Sequence, residues 1–161
     1  MHPLNHQKLI KSELKEHNDT INLLNSIVPE IENISNLIIN TLKTNNKLII
    51  CGNGGSAADA QHFSSELTGK YEKFRKSLPA ISLSTDCSAI TAIGNDFGFQ
   101  DIFSRQLEGL AQKGDLLLLI STSGNSINLL NALKVAKHKE VNSIALLGRD
   151  GGAIKELVNY E

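Results

Sequence analysis

The sequence predicts an α/β fold, a doubly wound three-layer domain built on a parallel sheet and preceded by two helices. Three observations carry that prediction. Compact apolar runs at 48–51, 79–83, 116–120 and 143–147 are strand-sized and bounded by Gly, Asp or Ser, as strands buried on both faces are. Helical stretches at 57–67, 88–93, 101–111 and 127–138 alternate with them, giving a βαβ succession. The composition supplies a core, since hydrophobic residues make up 40% of the 161 and charged residues only 20%.

The first predicted helix carries Ile10, Leu14, Ile21, Leu24 and Val28 at steps of four and three, with His17 in the remaining place, which is a seam for packing against another helix. Pro29 suits the first turn of a second helix, where its missing N–H has no partner to lose, and Ile31, Ile34, Ile38 and Leu42 form that helix's stripe until Asn45 and Asn46 end it. Residues 1–46 therefore read as a helical pair that packs in an oligomer, and 47–161 as the α/β domain, with no repeat or low-complexity linker marking a further one. Leu157, Val158 and Tyr160 read as the opening of one more strand.

Charge and apolar patterning exclude several classes. Sixteen basic against 17 acidic residues leave a net charge of −1, with no bias toward nucleic acid or an anionic membrane. The apolar runs fall far short of the ~20 residues of a membrane span. Polar residues interrupt positions 1–10 where a signal peptide needs a continuous apolar stretch, so a cytoplasmic location is expected. Cys51 and Cys87 form no close-spaced pair, which argues against a disulfide framework or a cysteine zinc site.

Two loops follow strands and open helices. Gly52-Asn53-Gly54-Gly55-Ser56 follows the first strand, where glycines let a ligand approach the backbone and helix-start N–H groups face anions. A plain tight turn competes with that reading, as does a loose dinucleotide fingerprint through Gly52, Gly54 and Ala57, whose acid partner would be Asp86, later than the usual spacing. Ser121-Thr122-Ser123-Gly124-Asn125-Ser126 follows the most apolar strand. Its four hydroxyls exceed the single side chain that a helix cap uses, and phosphate binding at the strand's carboxyl end is the favoured reading.

On the helix after the glycine loop, Asp59, His62 and Glu66 share one polar stripe beside an apolar one of Ala60, Phe63 and Leu67. The His62 and Glu66 pair at i, i+4 suits metal ligation, a general base with its partner, or a surface pair adding a little helix stability. Gly94-Asn95-Asp96-Phe97-Gly98-Phe99 reads as a turn after the helical stretch at 88–93, either anchored by its aromatics or recognising hydroxyls through Asn95 and Asp96.

Taken together, Cys-Gly-Asn-Gly-Gly-Ser at 51–56, Ala60-Gln61-His62-Phe63 with Glu66-Leu67-Thr68-Gly69, Gly94-Asn95-Asp96-Phe97-Gly98 and the 121–126 loop resemble the sugar isomerase (SIS) domain, and more closely the phosphoheptose isomerases, over nearly the whole chain. The resemblance implies a flavodoxin-like sandwich and a homotetramer with active sites at subunit interfaces. It also implies conversion of sedoheptulose 7-phosphate to D-glycero-D-manno-heptose 7-phosphate for bacterial lipopolysaccharide or other heptose glycans. By the same resemblance Ser56, Ser121, Thr122, Ser123 and Ser126 would hold the phosphate, with Gly54 and Gly55 in the binding loop. Asn53, Asn95 and Asp96 would meet the sugar, His62 and Glu66 would ligate one zinc per subunit, and Glu66 would also be the catalytic base. In that family a Gln and a His on a final helix complete the zinc site, and the His is the candidate acid. This sequence ends at Glu161, ahead of that region, so an incomplete zinc site and a domain short of its last strand and helix are expected. The competing readings are a non-catalytic SIS protein that binds the replication initiator DnaA, and a phosphosugar-binding regulator.

Overall fold

A computed structural model describes residues 5–161. The chain forms two compact units, one up to Ser35 and one from Asn36 onward. In the first, α1 (His6–Leu23) is opened by Asn5, whose side chain accepts a hydrogen bond from the Lys8 N–H at 3.1 Å. A tighter 3-10 turn, Leu24–Ile27, separates α1 from α2 (Val28–Lys43) and interrupts the expected seam before Val28. No residue of α1 is buried, and Ile10, Leu14, Ile21, Leu24 and Val28 all lie exposed. Pro29 takes its expected place in the first turn of α2, and Asn45 leaves the helix end with a left-handed φ of 62°.

The second unit is a four-stranded, all-parallel sheet in the order β2-β1-β3-β4, where β1 is Leu48–Gly52, β2 Ala80–Ser82, β3 Leu116–Ser121 and β4 Asn142–Leu147. Alternation along the strands sorts the side chains to two faces. Ile49, Cys51, Leu117, Leu119 and Ala145 join one buried cluster with Phe103, Leu107 of α5 (Ser104–Leu110) and Leu129, Ala132, Leu133, Ala136 of α6 (Ile127–His138). Leu48, Ile50, Leu116, Leu118 and Ile144 point the other way, where they too are buried. α3 (Gly55–Thr68) packs along β1 and buries Ala60 and Ser64. Helices thus cover both sides of the sheet, the expected three-layer arrangement. Asp115, just ahead of β3, is fully buried and accepts from the N–H groups of Lys47 at 3.0 Å and Gln112 at 2.9 Å and from Lys47 Nζ at 2.6 Å, which pins the starts of β1 and β3 together.

Two boundaries differ from the sequence reading. α4 runs Cys87–Asp96, so Gly94, Asn95 and Asp96 complete its last turn instead of forming a loop, and the break falls at Phe97 and Gly98. The helix expected over 101–111 divides into a 3-10 turn, Phe99–Asp101, and α5. The further strand expected from Leu157, Val158 and Tyr160 is reduced to a single bridge at Tyr160, since Leu157 lies in a turn and Val158 in a bend. Tyr160 pairs in parallel with Ile144, and the Ala145 N–H donates to the Tyr160 carbonyl at 3.0 Å. No helix of the described residues is long and apolar enough to cross a membrane.

Residues 148–154, which include the start of α7 (Gly152–Lys155), seat themselves against the loop at 121–126. Gly148 N–H donates to the Ser121 carbonyl, Ile154 N–H to the Gly124 carbonyl and Ala153 N–H to Asn125 Oδ1. The approach is so close that a Cβ on Gly124, whose φ is +63°, would stand 1.8 Å from the Gly151 carbonyl oxygen. Gly124→Ala is therefore expected to cost about 2 kcal/mol or more through left-handed strain and displaced backbone. Gly109→Ala in α5, where a Cβ meets nothing within 4 Å, should be neutral or stabilising. Thermal denaturation of the two variants checks this, and equal melting temperatures would contradict the packing.

Candidate functional site

In a parallel α/β sheet the chain leaves β1 toward β2 on one side while β3 lies on the other, so the helices above the β1/β3 boundary diverge and open a crevice at the strands' carboxyl ends. The register sets Gly52 beside Ile120, which brings the glycine loop and the hydroxyl loop to that crevice together. They enclose a cavity of about 170 Å³ lined by Asn53, Ser56, Ile120, Ser121, Thr122, Ser123 and Ser126. Six of these seven are residues the sequence selects for phosphate or sugar. Gly54 precedes α3 as its cap with a φ of +57° and Gly55 is the helix's first residue, so both serve the loop through the backbone.

The hydroxyls are committed unequally. Ser121 Oγ is buried and accepts from the Gly124 N–H at 3.1 Å, and Ser123 Oγ accepts from the Asn125 N–H at 3.3 Å, so both hold the turn. Ser126 occupies the position before α6, yet its side chain makes no capping bond. The cap that would have given these hydroxyls a purely local use is absent. Among the described residues Ser56 and Thr122 likewise engage no intrachain partner through their hydroxyls. The uncommitted hydroxyls line an anion-sized cavity with no cation in its lining, and Ser126 there directly precedes the start of α6, an arrangement suited to a phosphate held by neutral donors.

His62 and Glu66 lie elsewhere. They line a second cavity of about 420 Å³ with Asp59, Phe63, Leu67, Tyr71 and Arg75. The predicted polar stripe is thus real, but Glu66 stands eleven residues after Gly55, about 16 Å along the helix axis from the loop that launches it. The helix does not return its carboxylate to the phosphate-sized cavity of the same chain. His62 Nε2 is 3.6 Å from Glu66 Oε1, and the His62 side chain is 78% exposed. Arg75 fixes the end of this helix by donating to the carbonyls of Glu66 at 2.6 Å and Leu67 at 2.7 Å. Asn95 Nδ2 donates to Asp96 Oδ1 at 2.8 Å on the exposed end of α4, and neither residue lines either cavity.

The donor set also bears on zinc. Among the described residues no third His, Cys, Asp or Glu joins His62 and Glu66 to make a metal-sized cluster. A catalytic zinc takes three protein ligands, so these residues do not by themselves constitute a zinc site. Cys51, in β1 next to the glycine loop, is fully buried, and burial pushes its thiol far above the ordinary range, which keeps it protonated.

Sequence reading passed over three contributors. The glycines at 148–152 follow β4 as the other two loops follow β1 and β3, and the same strand-end rule would have found them. Asn128, buried in the first turn of α6 and hydrogen-bonded to Asn53, and Arg75 carry no motif of their own.

Comparison with known proteins agrees with this geometry. The SIS domain matches residues 17–148. The chain is 54% identical over 149 residues to the phosphoheptose isomerase of Aliarcobacter butzleri, covering 92% of this chain and 79% of that one, and 50% identical over 150 residues to that of Helicobacter pylori strain 26695, covering 92% and 78%. The structure of the phosphoheptose isomerase from Neisseria gonorrhoeae superposes with a TM-score of 0.90 at 41% identity, over 96% of this chain and 82% of that one. That of Francisella tularensis gives 0.86 at 36%, over 96% and 80%. With its fold, its strand-end loops and its sequence in agreement, the chain belongs to the SIS domain family and, within it, to the phosphoheptose isomerases.

Proposed function

We propose that the chain is an aldose–ketose isomerase that converts sedoheptulose 7-phosphate to D-glycero-D-manno-heptose 7-phosphate in bacterial heptose biosynthesis. The observation that carries this reading is the cavity at the β1/β3 switch point, lined by Ser56, Ser121, Thr122, Ser123 and Ser126, of which Ser56, Thr122 and Ser126 have uncommitted hydroxyls. The names of relatives at half identity supply the substrate. The readings as a DnaA-binding protein or a phosphosugar-binding regulator gain no support from these relatives.

Isomerisation moves a proton between adjacent carbons through an enediol, so it needs a base above one carbon and a donor or cation at the oxygens. Glu66 takes the base role because its carboxylate, 36% exposed, lines a cavity wide enough for a sugar. The hydroxyl cavity holds the phosphate at the other end and uses that remote binding to orient the reacting carbons, with Asn53 at its rim and Asn95 and Asp96 assigned to sugar hydroxyls. Since the phosphate cavity and Glu66 are separate within one chain, the reading requires a second subunit to supply the base. That fits a homotetramer with sites between subunits, and the exposed stripe of Ile10, Leu14, Ile21, Leu24 and Val28 supports it as the packing seam. Zinc would need at least one further ligand beyond His62 and Glu66. A cytoplasmic location accords with this metabolic role.

Three outcomes test the reading. Sedoheptulose 7-phosphate should be turned over in preference to hexose phosphates, measured by product analysis alongside metal content. Glu66→Gln should lower turnover by ~10²–10⁴-fold while calorimetry shows phosphosugar affinity nearly unchanged, because only proton transfer is removed. An equal loss of binding and turnover would take the base role from Glu66. Light scattering should give a particle several times 17.5 kDa at micromolar concentration, and a monomer that turns substrate over would contradict the shared site.

A further inference from the structure

The carboxamides of Asn53 and Asn128 close on each other. Asn53 Nδ2 donates to Asn128 Oδ1 at 2.9 Å, and Asn128 Nδ2 donates to Asn53 Oδ1 at 2.9 Å. One residue belongs to the glycine loop after β1 and the other to the first turn of α6, 75 residues apart in sequence. Asn128 is 3% exposed, on a helix whose other buried positions are Leu129, Ala132, Leu133 and Ala136. An amide in such surroundings costs stability unless a specific partner satisfies it, and an aliphatic side chain would fill the place without that requirement. Packing alone does not call for Asn128.

The pair's consequence falls on Asn53. Each carboxamide offers two donor hydrogens and two acceptor lone pairs, and the closed pair uses one of each. Rotating either amide by half a turn would set N–H against N–H and oxygen against oxygen, so the pair fixes one orientation. Asn53 also lines the phosphate-sized cavity, and Asn128 does not. The remaining donor and acceptor of Asn53 are thereby held in place before any ligand arrives, and the glycine loop is tied to the helix start that carries Ser126.

We propose that Asn128 is a positioning residue that fixes the Asn53 carboxamide for the sugar phosphate and locks the two binding loops at their working separation. The inference rests on reading the cavity as the sugar-phosphate site. Asn128 touches no ligand and acts through Asn53, so its removal weakens binding by losing preorganisation while leaving the proton-transfer group alone.

The test pairs Asn128→Asp, which keeps the shape and the acceptor but removes the donor toward Asn53 Oδ1, with Asn128→Leu, which fills the volume and removes both bonds. Calorimetry with sedoheptulose 7-phosphate should show affinity weakened about tenfold in Asn128→Leu. Asn53→Ala combined with Asn128→Leu should bind no worse than Asn53→Ala alone, since both act through one carboxamide. A lowered melting temperature with unchanged affinity, or losses that add in the double variant, would make Asn128 merely structural and overturn the proposal. Side-chain amide NMR provides a second readout. In the unsubstituted protein one N–H of Asn53 should be protected from exchange; in Asn128→Asp, which keeps its acceptor, the signals should shift while protection persists, and in Asn128→Leu the exchange should quicken. Free exchange of both Asn53 hydrogens in the unsubstituted protein would refute the positioning whether or not the variants fold. Failure of the unsubstituted protein to bind sedoheptulose 7-phosphate would instead defeat the proposed function, with the NMR result still deciding the geometry.

Discussion

The parallel pairing of β1 with β3 constrains the rest of this domain. Leu48 to Gly52 lie beside Leu116 to Ile120 in register, with Asp115 bound to the Lys47 amide and ammonium at the strands' starts. Because the strands run the same way, they end together, and the loops that leave them are forced to share one crevice. A slip of one residue would turn Ile49, Cys51, Leu117 and Leu119 out of the cluster they form with α5 and α6, so burial on both faces enforces the register. The site's geometry is therefore inherited from the core. The chemistry is added by residues that the core does not need, namely hydroxyls and amides at the strand ends.

Those added residues hold one another in a graded order. Ser121 and Ser123 use their hydroxyls to shape the turn, while those of Ser56, Thr122 and Ser126 have no partner among the described residues. Gly124 permits the 148–154 segment to close over the loop from outside, and Asn128 ties the glycine loop from within. A neutral cradle of this kind would bind phosphate through many short-range donors, so it would demand fixed geometry in place of a lysine's long-range attraction.

Much of this was legible in the sequence. Strands rich in Leu and Ile, bounded by Gly and Asp, announced a parallel sheet because burial on both faces leaves little room for polar alternation. Loops at 52–56 and 121–126 stood out because glycine and clustered hydroxyls at strand ends exceed the needs of a turn. The resemblance to a known family added roles for His62, Glu66, Asn95 and Asp96 that spacing alone left open. The extent of α4 was misjudged because Gly94, Asn95 and Asp96 favour turns locally, yet Asp86 caps the helix at Ala89 and Ile90 and Ile93 pack it on the core, which carries it through to Asp96. The Asn53 and Asn128 pair was invisible because a buried amide announces its partner only in three dimensions. The separation of Glu66 from the hydroxyl cavity was likewise hidden, since sharing a helix with the glycine loop suggested proximity that a straight helix of this length denies.

If the β1/β3 switch point is the phosphate site of a sugar-phosphate isomerase, a crystal structure of the protein with sedoheptulose 7-phosphate should show it. Phosphate density is expected among Ser56, Ser121, Thr122, Ser123 and Ser126, with the sugar leaving past Asn53 toward a Glu66 carboxylate of another subunit. Density confined to the glycine turn and running toward Asp86, with none in the hydroxyl cavity, would refute the assignment.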